Sequence, residues 1–123
     1  MNKTRLILFA HGSNDPRWRA PFEKLERELA AELGRDRVAL AYMEFVGPTL
    51  LDAAADAVRD GVNVFRVLPL FLSAGAHVAQ DIPAQAAQAR RQFPQLTVEV
   101  LPPIGEDNRF VELIKQVTRE SLG

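Results

Sequence analysis

A chain of 123 residues that is 47% hydrophobic and 25% charged has the size and composition of one globular domain, residues 1–123, able to bury a core without disulfides. Its 15 basic and 16 acidic residues leave a net charge of −1, which excludes the basic footprint of a nucleic-acid or anionic-membrane binder. It has no cysteine, so thiolate sites and iron–sulfur clusters are excluded too. With no signal-peptide core and no apolar run of membrane length, a cytoplasmic setting is expected.

In chain order, Leu6 to Ala10 is a short, continuous apolar run, as a parallel strand buried on both faces requires. Asp15 and Pro16 suit an N-cap and first turn. Phe22, Leu25, Leu29 and Leu33 then recur at helical steps until Gly34 stops them. Val38 to Phe45 reads as a second strand. Gly47-Pro48 opens a second helix, with Leu50, Leu51, Ala54, Ala55 and Val58 inward and Gly61 at its end. Val62 to Leu72 is a third strand, with Pro69 ending regular pairing. Ala79 to Phe93 is a third helix, and Leu96 to Leu101 a fourth strand. Pro102, Pro103 and Gly105 form a loop, and Phe110, Leu113, Ile114 and Val117 mark a last helix. Four alternations of strand and helix predict an α/β fold: a four-stranded parallel sheet flanked by helices on both faces.

Ligands of such sheets bind beyond the carboxyl ends of the strands. The only two histidines are expected there, His11 after the first strand and His77 after the third. Glu44, near the end of the second, joins them or is a solvated strand-end carboxylate. Gly12 and Ser13 after His11, and Ser73, Ala74, Gly75 and Ala76 before His77, are all small. They leave room for a flat ligand, or simply form ordinary strand-to-helix turns. Imidazole with carboxylate suits cobalt, iron, nickel or zinc, and imidazole also exchanges protons near neutrality. His11-Gly-Ser-Asn-Asp15-Pro16 and His77-Val-Ala-Gln-Asp81-Ile-Pro83 share a histidine, an aspartate four residues on, and a proline. No Gly-x-Gly-x-x-Gly or Gly-x-x-x-x-Gly-Lys motif is present, and Ser13 and Ser73 lack a nucleophile-elbow context.

Taken together, LFAHGSNDP, MEFVGPTL, VLPLFLSAGAHVAQDIP and LPPIG, in that order, resemble the small CbiX/SirB group of class II chelatases, the sirohydrochlorin metal chelatases. The resemblance covers nearly the whole chain and implies a chelatase-like (flavodoxin-like) domain. It implies insertion of Co2+, or Fe2+, into the tetrapyrrole sirohydrochlorin on the route to cobalamin or siroheme. His11 and His77 would bind the metal and accept pyrrole protons, and Glu44 would complete the metal site. Gly12, Ser13, Arg17, Ser73 and Gly75 are candidate substrate contacts. Arg17 and Arg19 would either meet the substrate's carboxylates or stay solvated in the first helical turn. No tightly bound cofactor is expected, since the divalent metal is itself a substrate. Longer relatives resemble two such domains in tandem, so a homodimer is expected. The alternatives are an iron or nickel chelatase of the same type, and a non-catalytic metal or tetrapyrrole carrier.

Overall fold

A computed structural model describes residues 2–123 except residue 74; the side chains of Ala76, His77 and Val78 also lie outside the described residues. The elements are β1 (Thr4–Ala10), α1 (Pro16–Leu33), β2 (Val38–Tyr42), α2 (Leu50–Arg59), β3 (Val64–Pro69), α3 (Ala76–Gln92), β4 (Thr97–Val100) and α4 (Asn108–Leu122), with a short 3-10 turn at Ile104–Glu106. All three strand pairings are parallel, in the order β2-β1-β3-β4. The chain winds from β1 out to β2, then crosses back to β3 on the other side of β1. Its topological switch point therefore lies between β1 and β3.

The strand residues alternate between two cores. Ile7, Phe9, Ala41, Phe65, Val67 and Val98 pack beneath Leu50, Ala53, Ala54 and Ala57 of α2 and Ile82, Ala86 and Ala89 of α3. On the opposite face Leu8, Ala10, Val38, Leu40 and Tyr42 meet Phe22 and Leu29 of α1. The small alanines of α2 and α3 let both helices sit close to the sheet. Thr49 and Asp52 start α2 with a reciprocal capping box, which satisfies two backbone donors at the helix start.

Several boundaries differ from the sequence expectation. β2 stops at Tyr42 rather than Phe45, although Met43 N still donates to the Ala10 carbonyl (2.8 Å) and Glu44 N to that of His11 (3.0 Å). Residue Phe45 then turns to a positive φ of 75°, which no strand accommodates. β3 starts at Val64 rather than Val62 and ends at Pro69, where the sequence expectation also ended regular pairing. Helix α3 starts at Ala76, three residues before the expected Ala79, with Gly75 at its N-cap. Pro83 thus lies inside the helix, on its exposed side, where water can reach the carbonyl that it leaves without a donor. The histidine–aspartate–proline similarity does not survive in structure. Asp15 caps α1, whereas Asp81 lies within α3.

Candidate metal site at the strand ends

His11 is the first residue past β1 and Glu44 the second past β2. The β1–β2 register pairs Ala10 with Tyr42, so continued pairing brings His11 and Glu44 to the same level of the sheet edge. Their side chains meet directly, His11 Nε2 against Glu44 Oε1. Each is partly exposed, 48% and 38% by side chain, so the pair is open to a ligand from solution. Gly12 makes the approach possible. It has φ +102°, and a Cβ there would lie 2.1 Å from the Glu44 carbonyl oxygen. Any side chain at Gly12 would push the two strand ends apart.

Two aromatic rings hold the imidazole. Phe45 stacks on His11 with centroids 5.9 Å apart and planes 13° from parallel, and Phe71 meets it edge-on at 6.2 Å. Phe71 is itself set edge-on against the buried Phe9 at 6.5 Å. Beside His11 opens a cleft of about 320 Å³ lined by Gly12, Ser13, Trp18, Arg19, Phe22, Tyr42 and Leu70. Trp18, Phe45 and Leu72 are 70%, 63% and 70% exposed. Exposed apolar groups of that size, gathered at strand ends, suit a flat apolar ligand face.

The remaining candidates divide. Ser13 Oγ accepts from Asp15 N (3.0 Å) and shapes the turn into α1. Arg19 donates from Nη1 to the Ser13 carbonyl (2.7 Å), which holds it in the cleft wall. Arg17 forks onto Asp15, with Nη2–Oδ2 at 2.6 Å. That hydrogen bond lowers the Asp15 carboxyl below its ordinary range and raises the Arg17 guanidinium. The fork also turns Arg17 toward the helix cap. Ser73 and Gly75 are exposed on the segment from β3 to α3. Among the described residues nothing lies within 4 Å of a Cβ at Gly75. By its backbone His77 belongs to the first turn of α3; its side chain, and Ala74, lie outside the described residues. No cluster of three or more metal-ligating side chains occurs among the described residues, which leaves His11 and Glu44 as a two-donor rim. Phe45, Phe71 and Tyr42 were not among the sequence candidates. The only signal for Phe45 and Phe71 was their position, next to Glu44 and within the Leu70–Leu72 run.

A parallel α/β sheet with an imidazole–carboxylate pair at its carboxyl-end edge has the form of a ligand-binding domain. Residues 5–121 match the family model described as CbiX, and the chain belongs to that family. The sirohydrochlorin cobaltochelatase of Sulfolobus acidocaldarius is 30% identical over 119 residues, covering 95% of this chain and 91% of its own length. A cobalamin (vitamin B12) biosynthesis CbiX protein from Marinobacter aquaeolei VT8 superposes with a TM-score of 0.85 at 36% identity, over 98% of this chain and 96% of its own. SirB, a sirohydrochlorin chelatase from Bacillus subtilis subspecies spizizenii crystallised with cobalt, has a TM-score of 0.81 at 23% identity. It matches 96% of this chain with 50% of its own, a likeness of fold.

Proposed function

We infer that this chain is a sirohydrochlorin metal chelatase, with cobalt as the favoured metal. The observation that carries the reading is the His11–Glu44 contact at the strand-end rim, in a chain that belongs to the CbiX family. Insertion exchanges two pyrrole N–H protons for one divalent cation. A site for this needs donors that hold a metal weakly enough to release it, and a group that takes protons near neutrality. Imidazole and carboxylate meet the first need where thiolate would not, and imidazole meets the second.

His11 Nε2 and Glu44 Oε1 face each other, so the two would share a proton or turn together to one metal ion. Phe45 and Phe71 fix the imidazole plane, so the metal is offered in one direction. The macrocycle lies across Trp18, Phe45 and Leu72, whose exposed apolar surface it covers. Arg19, anchored to the turn beside His11, faces the carboxylate arms. Arg17 can join it on releasing Asp15. Gly12, Ser13, Ser73 and Gly75 contribute their small size at the approach. His77 is the second imidazole of the reading. Its support is the pairing of β1 with β3, which makes the segments after these strands neighbours at the switch point. Both histidines then share proton acceptance and metal binding, with Glu44 as the third ligand.

Residues 1–123 act as one chelatase domain in this reading. Two copies of the domain form the working enzyme, since SirB matches this chain with only half its length. A cytoplasmic setting fits the cysteine-free sequence. Iron is the second metal, because the same donors accept it.

The test follows the absorbance of sirohydrochlorin under anaerobic conditions with Co2+, Fe2+ or Ni2+, with and without the protein. Insertion accelerated above the spontaneous rate, most for Co2+, is expected. Binding of metal or tetrapyrrole without acceleration by any of the three would make the chain a carrier and end the enzyme reading.

A further inference from the structure

The cleft beside His11 adjoins a second one of about 360 Å³, lined by Glu23, Glu26, Val46, Gly47 and Pro48. Arg19 and Tyr42 belong to the walls of both. The two clefts differ in charge. The second holds two carboxylates, of which Glu26 Oε2 accepts from Leu40 N (2.8 Å) and fastens α1 to β2. The His11 cleft has no carboxylate in its wall among the described residues. Its polar side chains are His11, Ser13, Arg19 and Tyr42, and each of them can donate a hydrogen bond.

Two of these donors are under-used. Tyr42 ends β2, and its backbone is held in place: Tyr42 N donates to the Pro48 carbonyl (2.8 Å), and the next residue, Met43, donates to that of Ala10 (2.8 Å). Its ring is packed within the cluster that holds Leu40, Phe22, Val46 and Leu70, and only 3% of the residue is exposed. Yet among the described residues its hydroxyl has no hydrogen-bond partner. Burying a hydroxyl without a partner is unfavourable, and phenylalanine would fill the same space without that penalty. Arg19 gives Nη1 to the Ser13 carbonyl (2.7 Å), its single hydrogen bond among the described residues, although a guanidinium carries five N–H donors. Ser13 Oγ accepts from Asp15 N (3.0 Å), which leaves its own proton to give.

We propose that the Tyr42 hydroxyl and the unused edge of the Arg19 guanidinium form a carboxylate subsite, in which one acidic arm of the tetrapyrrole enters the His11 cleft and takes both donors. At about 320 Å³ the cleft lies at the lower end of small-molecule sites, roughly 300–1,000 Å³. It therefore takes a corner of the macrocycle rather than the whole ring. The arm enters this cleft and not its neighbour, because Glu23 and Glu26 repel it there. Once seated, the arm limits how far the ring can slide across Trp18 and Phe45, and so keeps the central nitrogens over the His11–Glu44 pair. The subsite rests on the tetrapyrrole reading above. It adds a residue, Tyr42, that binds the substrate but neither the metal nor the pyrrole protons.

Trp18 is the only tryptophan and stands in the wall of the same cleft, so its fluorescence reports occupancy. Metal-free sirohydrochlorin is titrated into wild type, Tyr42→Phe, Arg19→Met and the double variant, with no divalent metal present. Quenching is expected in all four, with Kd raised about 10-fold or more in Tyr42→Phe, as loss of a hydrogen bond to a charged group does. The loss in the double variant should fall short of the product of the single losses, since both donors hold one carboxylate. Ligand-free Tyr42→Phe should melt at or above the wild-type temperature. In Co2+ insertion it should raise KM and keep kcat, the mark of uniform substrate binding. Equal Kd for wild type and Tyr42→Phe would overturn the subsite and leave the chelatase reading standing. Losses that multiply would place the two donors on different groups and overturn the shared subsite. Weaker binding together with a lowered melting temperature would give the hydroxyl a structural role instead. An unquenched wild type would take the macrocycle off this rim and remove both readings.

Discussion

At the scale of single residues, the site depends on side chains whose type was legible and on others whose role was not. His11, Gly12 and Glu44 could be read because each lies at or near the carboxyl end of a strand-like run, where ligands of parallel sheets bind. Phe45 could not, because its contact with His11 depends on a positive φ that sequence does not announce for a phenylalanine. Tyr42 was equally silent. It is the only tyrosine, is 3% exposed, and among the described residues its hydroxyl has no hydrogen-bond partner. Burial, with help from Glu23 and against the pull of Arg19, raises its pKa above the ordinary value of about 10. A raised folded value means that its contribution to stability is complete below pH of about 10 and is lost as pH rises through the folded pKa. Ultraviolet titration of the phenolate should therefore give a midpoint above that of free tyrosine, with thermal stability falling over the same alkaline range. A midpoint at or below the free value would refute the buried placement. Tyr42→Phe should keep or raise the melting temperature, because it removes a buried hydroxyl without breaking a hydrogen bond.

At the scale of elements, four strands and four helices followed from period and punctuation, while their ends did not. The apolar runs of β1 and β3 and the three-and-four spacing in α1 and α4 are strong signals. The start of α3 was misplaced because no apolar period precedes Ile82 and Pro83 reads as a first-turn residue. The element junction that matters most is that of β1 and β2, where Glu44 N donates to the His11 carbonyl and Gly12 allows the close approach. Gly12→Ala adds a Cβ at positive φ against backbone. It should cost about 3 kcal/mol or more, seen as a lower urea midpoint, and should lower activity as His11 and Glu44 separate. A midpoint equal to wild type would mean that the two strand ends are not held this closely.

At the scale of the whole molecule, the strand order is the fact that sequence could not supply. Alternating strands and helices fix a parallel sheet but not which strands are neighbours. The order β2-β1-β3-β4 places β1 between the strands that precede Glu44 and His77, so one rim can receive groups from three connections. The exposure of Leu113, Ile114 and Val117 on α4 also emerges only at this scale, since their apolar stripe reads from sequence as that of an ordinary core helix. The central claim is that imidazoles on this rim move the metal and the pyrrole protons. Its most direct test is the initial rate of Co2+ insertion into sirohydrochlorin by wild type, His11→Ala and His77→Ala, at equal concentrations of folded protein. Each variant is predicted to lose about 100-fold or more of the rate, as loss of a general base does. Wild-type rates in both would contradict the account.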